Sequence, residues 1–316
     1  MHRSAPVSER TERNRVASAL LPTTMTRWVR VVAWLSLIVN IGIVGTGGLV
    51  RLTGSGMGCE TWPYCTTESL IPTAELGIHG LIEFGNRTLT GVLIIVAALM
   101  FLAVLKLEPR RRDLVRISFA IGVGIILQAV VGGVTVWLHL HPSIVGVHYL
   151  ISAALVALAT VLVFRVYAAP GPRVRAVSSG YAVLAHLTSA AVLVTVLFGI
   201  LLTGSGPHAG DVAAARNGLD PILWQHIHAW PGYATFALTL ALLVGAFRTP
   251  AELGLRGAVA LLLAVELVQI GVGLWQARTG LPIVLVNIHM VLAVCLVAAM
   301  TSVVLRLKRP EVSRVA

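Results

Sequence analysis

Residues 52–56 read L-T-G-S-G, and residues 202–206 read L-T-G-S-G again, 150 positions later. Each copy closes an apolar run of membrane-spanning length. Three further landmarks recur in the same order. Glu83-x-x-Asn86-Arg87 aligns with Gln225-x-x-His228-Ala229 at an offset of 142. Gln128 aligns with Gln269, and His148 with His289, both at 141. A conserved order with a shrinking offset indicates a duplicated unit that has lost loop residues. One L-T-G-S-G alone reads as a helix ending in a glycine turn. At equivalent ends of two repeats, it also predicts a part in shaping a pocket.

Composition sets the environment of that unit. The 316 residues are 57% hydrophobic and 12% charged, with mean hydropathy +0.87. A soluble protein carries about twice that share of charge. Apolar stretches near 31–51, 80–105, 116–137, 143–165, 181–203, 223–247, 256–275 and 283–305 are each long enough to cross a bilayer. The sequence therefore predicts an all-α polytopic membrane protein whose eight transmembrane helices form two tandem, pseudo-symmetric four-helix bundles. An even number of helices per unit gives both copies one orientation, related by an axis along the membrane normal. The expected division is a tail over 1–29, a first half over 30–167, a linker over 168–180, a second half over 181–306 and a tail over 307–316.

The formal charge of +11 does not indicate a nucleic-acid partner, because the basic residues lie in short loops beside apolar runs. Of 24 Lys and Arg, all but Arg51, Arg87, Arg216 and Arg278 fall on one side of the bilayer. That asymmetry predicts cytoplasmic termini in a plasma-membrane protein. The Arg-rich N-terminal stretch is too long and mixed for a cleaved signal and reads as a solvated tail.

The even-numbered helices all enter from the outer side, and their polar residues lie at matching depths. Glu83 and Asn86, His148, His228 and His289 sit a few residues in, ~8–9 Å below each helix start. His228 and His289 are matched imidazoles on repeat-equivalent helices, a pair suited to clasping a haem iron from both sides. Zinc is the rival, but His226 points about 200° away from His228 around its helix and supplies no third ligand. In the first half, His148 has Asn86 as its counterpart, and asparagine is a poor iron ligand. An iron there would keep one weak or open face, as oxygen activation requires. Glu83 lies one turn from Asn86, where a carboxylate could hold a proton or hydrogen-bond an intermediate. A Glu83–Arg87 pair that merely closes the helix end is the simpler alternative. The Arg87 guanidinium would also suit a haem propionate.

Cys59 and Cys65 share the first outer loop, where an oxidising exterior permits a disulfide. Redox-active or unpaired thiols are the alternatives, and Cys295 reads as a small apolar filler. Glu266 lies within helix seven as a proton-path residue or a helix-packing group. His79 is placed to join the Glu83 network. His139, His141 and His208 are expected to be solvated, His186 to pack with a hydrogen bond, and Trp62 and Trp137 to anchor at the interface.

Taken together, G-G-L-V-R-L-T-G-S-G-M-G-C-E-T-W-P-Y-C, the helix-two E-F-G-N-R, His148, T-G-S-G-P-H-A-G-D, His228 and His289 resemble the haem A synthase family over about 30–306. E-F-G-N-R and T-G-S-G-P-H-A-G-D resemble its actinobacterial branch. The resemblance implies a haem b between His228 and His289, and haem O in the N-terminal half. There the C8 methyl would be oxidised to a formyl group, giving haem A, by successive oxygen-dependent hydroxylations with loss of water. Glu83 matches the family's catalytic glutamate, and Cys59 and Cys65 its outer-loop cysteine pair. The resemblance also implies haem O synthase, a farnesyltransferase, as a partner in the bilayer. It leaves room for a homo-oligomer and specifies no electron donor. The chain departs from the family where many members have E-x-x-H-R but this one has Asn86. Ala229 also replaces a frequent Arg, and the second outer loop lacks cysteines. Two other classes fit the residues alone: a non-catalytic membrane b-type cytochrome fed by a quinol, and a haem carrier or insertion factor.

Overall fold

The computed structural model describes residues 20–248 and 253–311. The tails expected at the two ends lie partly outside them. Eight long apolar helices follow one another: α1 (Arg27–Leu52), α2 (Gly77–Leu105), α3 (Arg112–Trp137), α4 (Pro142–Tyr167), α5 (Ser179–Ser205), α6 (Pro221–Arg248), α7 (Leu253–Arg278) and α8 (Ile283–Leu305). Each is long and apolar enough to cross a membrane, so the chain is a multi-pass membrane protein. Most buried positions are aliphatic, and many large apolar side chains point outward, among them Ile95, Phe119 and Ile126. A helix that is apolar on all sides suits a lipid solvent, in which its own backbone hydrogen bonds must be complete.

Within the first four helices, α1 packs on α2, α2 on α3, α3 on α4, and α4 back on α1. The last four repeat the pattern, α5 on α6, α6 on α7, α7 on α8 and α8 on α5. The two rings meet where α1 and α4 pack on α8, and α4 on α5. The Tyr149 hydroxyl crosses this seam to the carbonyl of Met290, 2.7 Å away.

The L-T-G-S-G copies differ in structure. In the first, α1 stops at Leu52 and Gly54 turns left-handed at φ 69°. In the second, the helix runs on through Ser205. Its last carbonyls find donors from elsewhere in the fold. Arg51 bonds Thr203 O at 2.9 Å, the Asn217 side chain bonds Leu201 O at 2.7 Å, and the Asn217 N–H bonds Gly204 O at 3.1 Å. A helix end with its orphan carbonyls satisfied need not turn away. The glycine-turn reading thus holds for the first copy only. Gly204 instead gives room to Asn217 and Pro142, which would lie 2.8 and 3.4 Å from a Cβ there.

At the opposite end of the bundle, β1 (Arg173–Arg175) pairs antiparallel with β2 (Lys308–Pro310). The linker expected over 168–180 and the start of the tail expected over 307–316 are therefore joined. The backbone donors and acceptors of each satisfy the other.

Candidate functional site

The helix starts place the polar residues at one level. Asn86 is the tenth residue of α2, His148 the seventh of α4, His228 the eighth of α6 and His289 the seventh of α8. In the second half, the rings of His228 and His289 meet edge to face, with centroids 6.3 Å apart and planes at 80°. Gly199 on α5 and Gly273 on α7 make room for them. A Cβ at either glycine would lie 3.0 Å from the facing Cε1. The Gln269 amide donates to His289 O at 3.1 Å and stands 3.3 Å from its Nε2. Nδ1 of each histidine is buried and unbonded.

The first half repeats part of this design. Gln128 donates to His148 O at 3.0 Å and also bonds Ser152. Gly132, the counterpart of Gly273, would bring a Cβ 3.4 Å from the His148 ring. Nδ1 of His148 is likewise buried without a partner. Asn86 faces α1, as His228 faces α5, but its carbonyl accepts a 2.8 Å hydrogen bond from Thr46. Gly132 and Gly273 escaped the sequence reading, although they share the 141-residue offset.

Glu83 is buried and fully engaged. It accepts from the Cys59 N–H at 2.7 Å and from Arg87 Nε and Nη2 at 3.1 and 2.5 Å. Arg87 Nη1 also donates to the carbonyls of Thr61 and Tyr64, at 2.9 and 3.0 Å. The guanidinium thus already spends four N–H directions on Glu83 and the loop. Cys59 and Cys65 form a disulfide, so the loop clamped by Arg87 is itself closed. Both readings of Glu83 survive: it pairs with Arg87, and it lies one turn from Asn86. Gln225, its counterpart, is exposed.

Several other expectations change. His79 bonds Ser55 at 2.8 Å. His208 is tied to Leu281 O at 3.0 Å, not solvated, and its carbonyl accepts from Arg51. His186 is exposed on α5 because that side of the helix turns away from the bundle. Trp62 lies over Gly133, where a Cβ would come within 2.4 Å of the ring, and stacks edge-on against Trp137 at 5.6 Å.

A ligating imidazole nitrogen lies roughly 2 Å from its ion, so rings on opposite sides of one ion stand about 6 Å apart. The observed His228–His289 spacing matches, and the unbonded nitrogens supply donors. Among the described residues, no group of three or more His, Cys, Asp or Glu is placed to hold a metal ion. Structural zinc takes four protein ligands, whereas a haem iron asks the protein for only one or two. The residues present therefore fit haem.

The COX15-CtaA family model, described as cytochrome oxidase assembly protein, matches residues 30–301. The chain belongs to this family. Its similar curated relatives include proteins named "Heme A synthase" from Bacillus mycoides (strain KBAB4), Bacillus cereus (strain AH187) and Bacillus anthracis (strain CDC 684 / NRRL 3495). Each is 30% identical over 144 residues, which is 43% of this chain and 46% of the relative. The matched stretch thus spans about half the length of those COX15-CtaA relatives.

Proposed function

We propose that the protein is a haem A synthase, an oxygen-dependent oxidoreductase of the plasma membrane with both termini cytoplasmic. Its substrate is haem O, whose C8 methyl is hydroxylated successively and loses water to give the formyl group of haem A. Membership of the COX15-CtaA family and the names of the relatives support this reading. The placement of Lys and Arg supports the orientation.

The observation that carries it is the unequal pairing in one layer. His228 and His289 face each other with both Nδ1 atoms unbonded, whereas His148 has across the sequence repeat only Asn86, already held by Thr46. Two imidazoles would hold haem b and close its iron to oxygen, and the cofactor would supply one-electron transfer. His148 would hold the substrate haem from one side, leaving its other face accessible. Glu83 would hold or deliver a proton beside the reacting edge. Arg87 pairs with that carboxylate and holds the disulfide loop beside it. Haem O synthase is the partner expected to supply the substrate.

The test is expression with a supply of haem O, followed by extraction and mass analysis of the haems. Haem A or its hydroxylated precursor is the expected product. Unchanged haem O beside a stable low-spin haem b would select an electron-carrying cytochrome. Unchanged haem O with no redox turnover would select a carrier or insertion factor.

A further inference from the structure

Below the His228–His289 layer, the second half contains a polar column. His228, Thr235 and Thr239 fall on one face of α6 by helical spacing. Thr235 stands 3.3 Å from Thr195 on α5. Thr239 is fully buried, and Glu266 on α7 is 3% exposed. The Thr239 hydroxyl neighbours the Glu266 carboxyl. Apart from each other, the Glu266 carboxylate oxygens and that hydroxyl have no hydrogen-bond partner among the described residues. Buried polar atoms are nearly always bonded, and those that are not call for a functional reason. One turn along α7, Gln269 touches the His289 ring.

The first half shows that the fold does not need this column. By the repeat offsets, Thr235, Thr239 and Glu266 correspond to Leu93, Ala97 and Ile125, all buried and apolar. The same four-helix ring packs with hydrocarbon at those positions. A carboxyl within a membrane span is costly and marks function by default, and at these repeat positions the first half carries none.

We propose that Glu266, with Thr239, is a proton-binding site whose occupancy follows the charge on the iron held between His228 and His289. This inference rests on the haem b reading above. When a one-electron donor reduces the haem that His228 and His289 would hold, one proton from bulk water would convert the Glu266 carboxylate to the acid, so the net charge inside the bundle would stay constant. The helices packed on α7 are α6 and α8. Their inward titratable groups are His228, His289 and Cys295. Tyr233 and His226 on α6 are exposed. Arg256 and Arg278 lie toward the ends of α7. No ion pair to Glu266 is found among the described residues. With no fixed cation opposite it, the carboxyl can respond to the iron.

The test is redox titration of the purified holoprotein in detergent, following the low-spin haem spectrum at several pH values. While Glu266 titrates, the midpoint should fall by about 59 mV per pH unit, a tenfold change in proton concentration at one electron. Glu266→Gln, neutral at every pH, should flatten that slope and fix the potential near the acid limit of the parent. An unchanged slope in Glu266→Gln overturns the proposal. Thr239→Val serves if the glutamine variant fails to assemble, and should displace the pH range of the slope; an unmoved range then overturns it equally. Absence of any low-spin haem in the parent would instead refute the haem b reading and this inference with it. A normal spectrum with no Glu266-dependent slope refutes this inference alone.

Discussion

Tyr149 donates to the main-chain carbonyl of Met290 at 2.7 Å, and the two residues are counterparts in the repeat, 141 positions apart. Each directly follows a site histidine, His148 or His289. The seam between the bundles therefore passes beside both sites at once. Tyr149→Phe should cost about 1 kcal/mol, the net value of one hydrogen bond, and leave the haem spectrum unchanged. Thermal unfolding in detergent with parallel absorption spectra checks both.

The Glu83 carboxylate bonds the Cys59 N–H and Arg87 together, and the function proposed above adds proton handling to that task. Glu83→Gln keeps an acceptor for the Cys59 N–H but removes the charge opposite Arg87. It is expected to stop haem A formation while low-spin haem b remains bound. Glu83→Ala should lose, in addition, about 2 kcal/mol of stability, as expected when bonds to a charged group are removed. Haem A yield at the parent level in either variant would refute the role given to the carboxylate.

Glycines opposite the histidines give a graded test. Gly273→Ala would press a methyl against the His289 ring at 3.0 Å, and Gly132→Ala would approach His148 at a looser 3.4 Å. The first should weaken or shift the low-spin spectrum; the second should leave that spectrum intact. His228→Ala and His289→Ala should each abolish it. Absorption spectra of the purified variants decide, and a low-spin signal surviving His289→Ala would reject the ligand pair.

The Cys59–Cys65 bond closes a short loop, so replacing both cysteines with serine should cost about 2 kcal/mol by loop entropy. The loss should grow when combined with Arg87→Ala only if the disulfide and Arg87 act separately. Because Arg87 holds Thr61 and Tyr64 within that same loop, the two costs are expected to overlap. A double-mutant cycle on unfolding midpoints measures the overlap.

The helices were legible because a span must be apolar throughout, and the observed bounds extend the expected ones by only a few residues. The repeat made His148, His289, Gln128 and Gln269 readable as counterparts, and both glutamines bond their histidine carbonyls. What stayed hidden depends on partners from distant segments. The second L-T-G-S-G stays helical because Arg51 and Asn217 reach its carbonyls. Trp62 packs on α3 because Gly133 offers a flat seat. His208 is bonded because the α5–α6 loop reaches Leu281 between α7 and α8. Glu266 was visible as a charge in a span, but its isolation from hydrogen-bond partners emerged only with its neighbours in place.

The seam described above also bears on ancestry. Packing of α4 on α8, flanked by α1 on α8 and α4 on α5, is the contact two identical four-helix chains would make around a twofold axis. In such a homodimer, every substitution would appear twice, and one pocket could not lose a ligand while the other kept it. A single polypeptide carries no such constraint, and here position 86 is asparagine while position 228 is histidine.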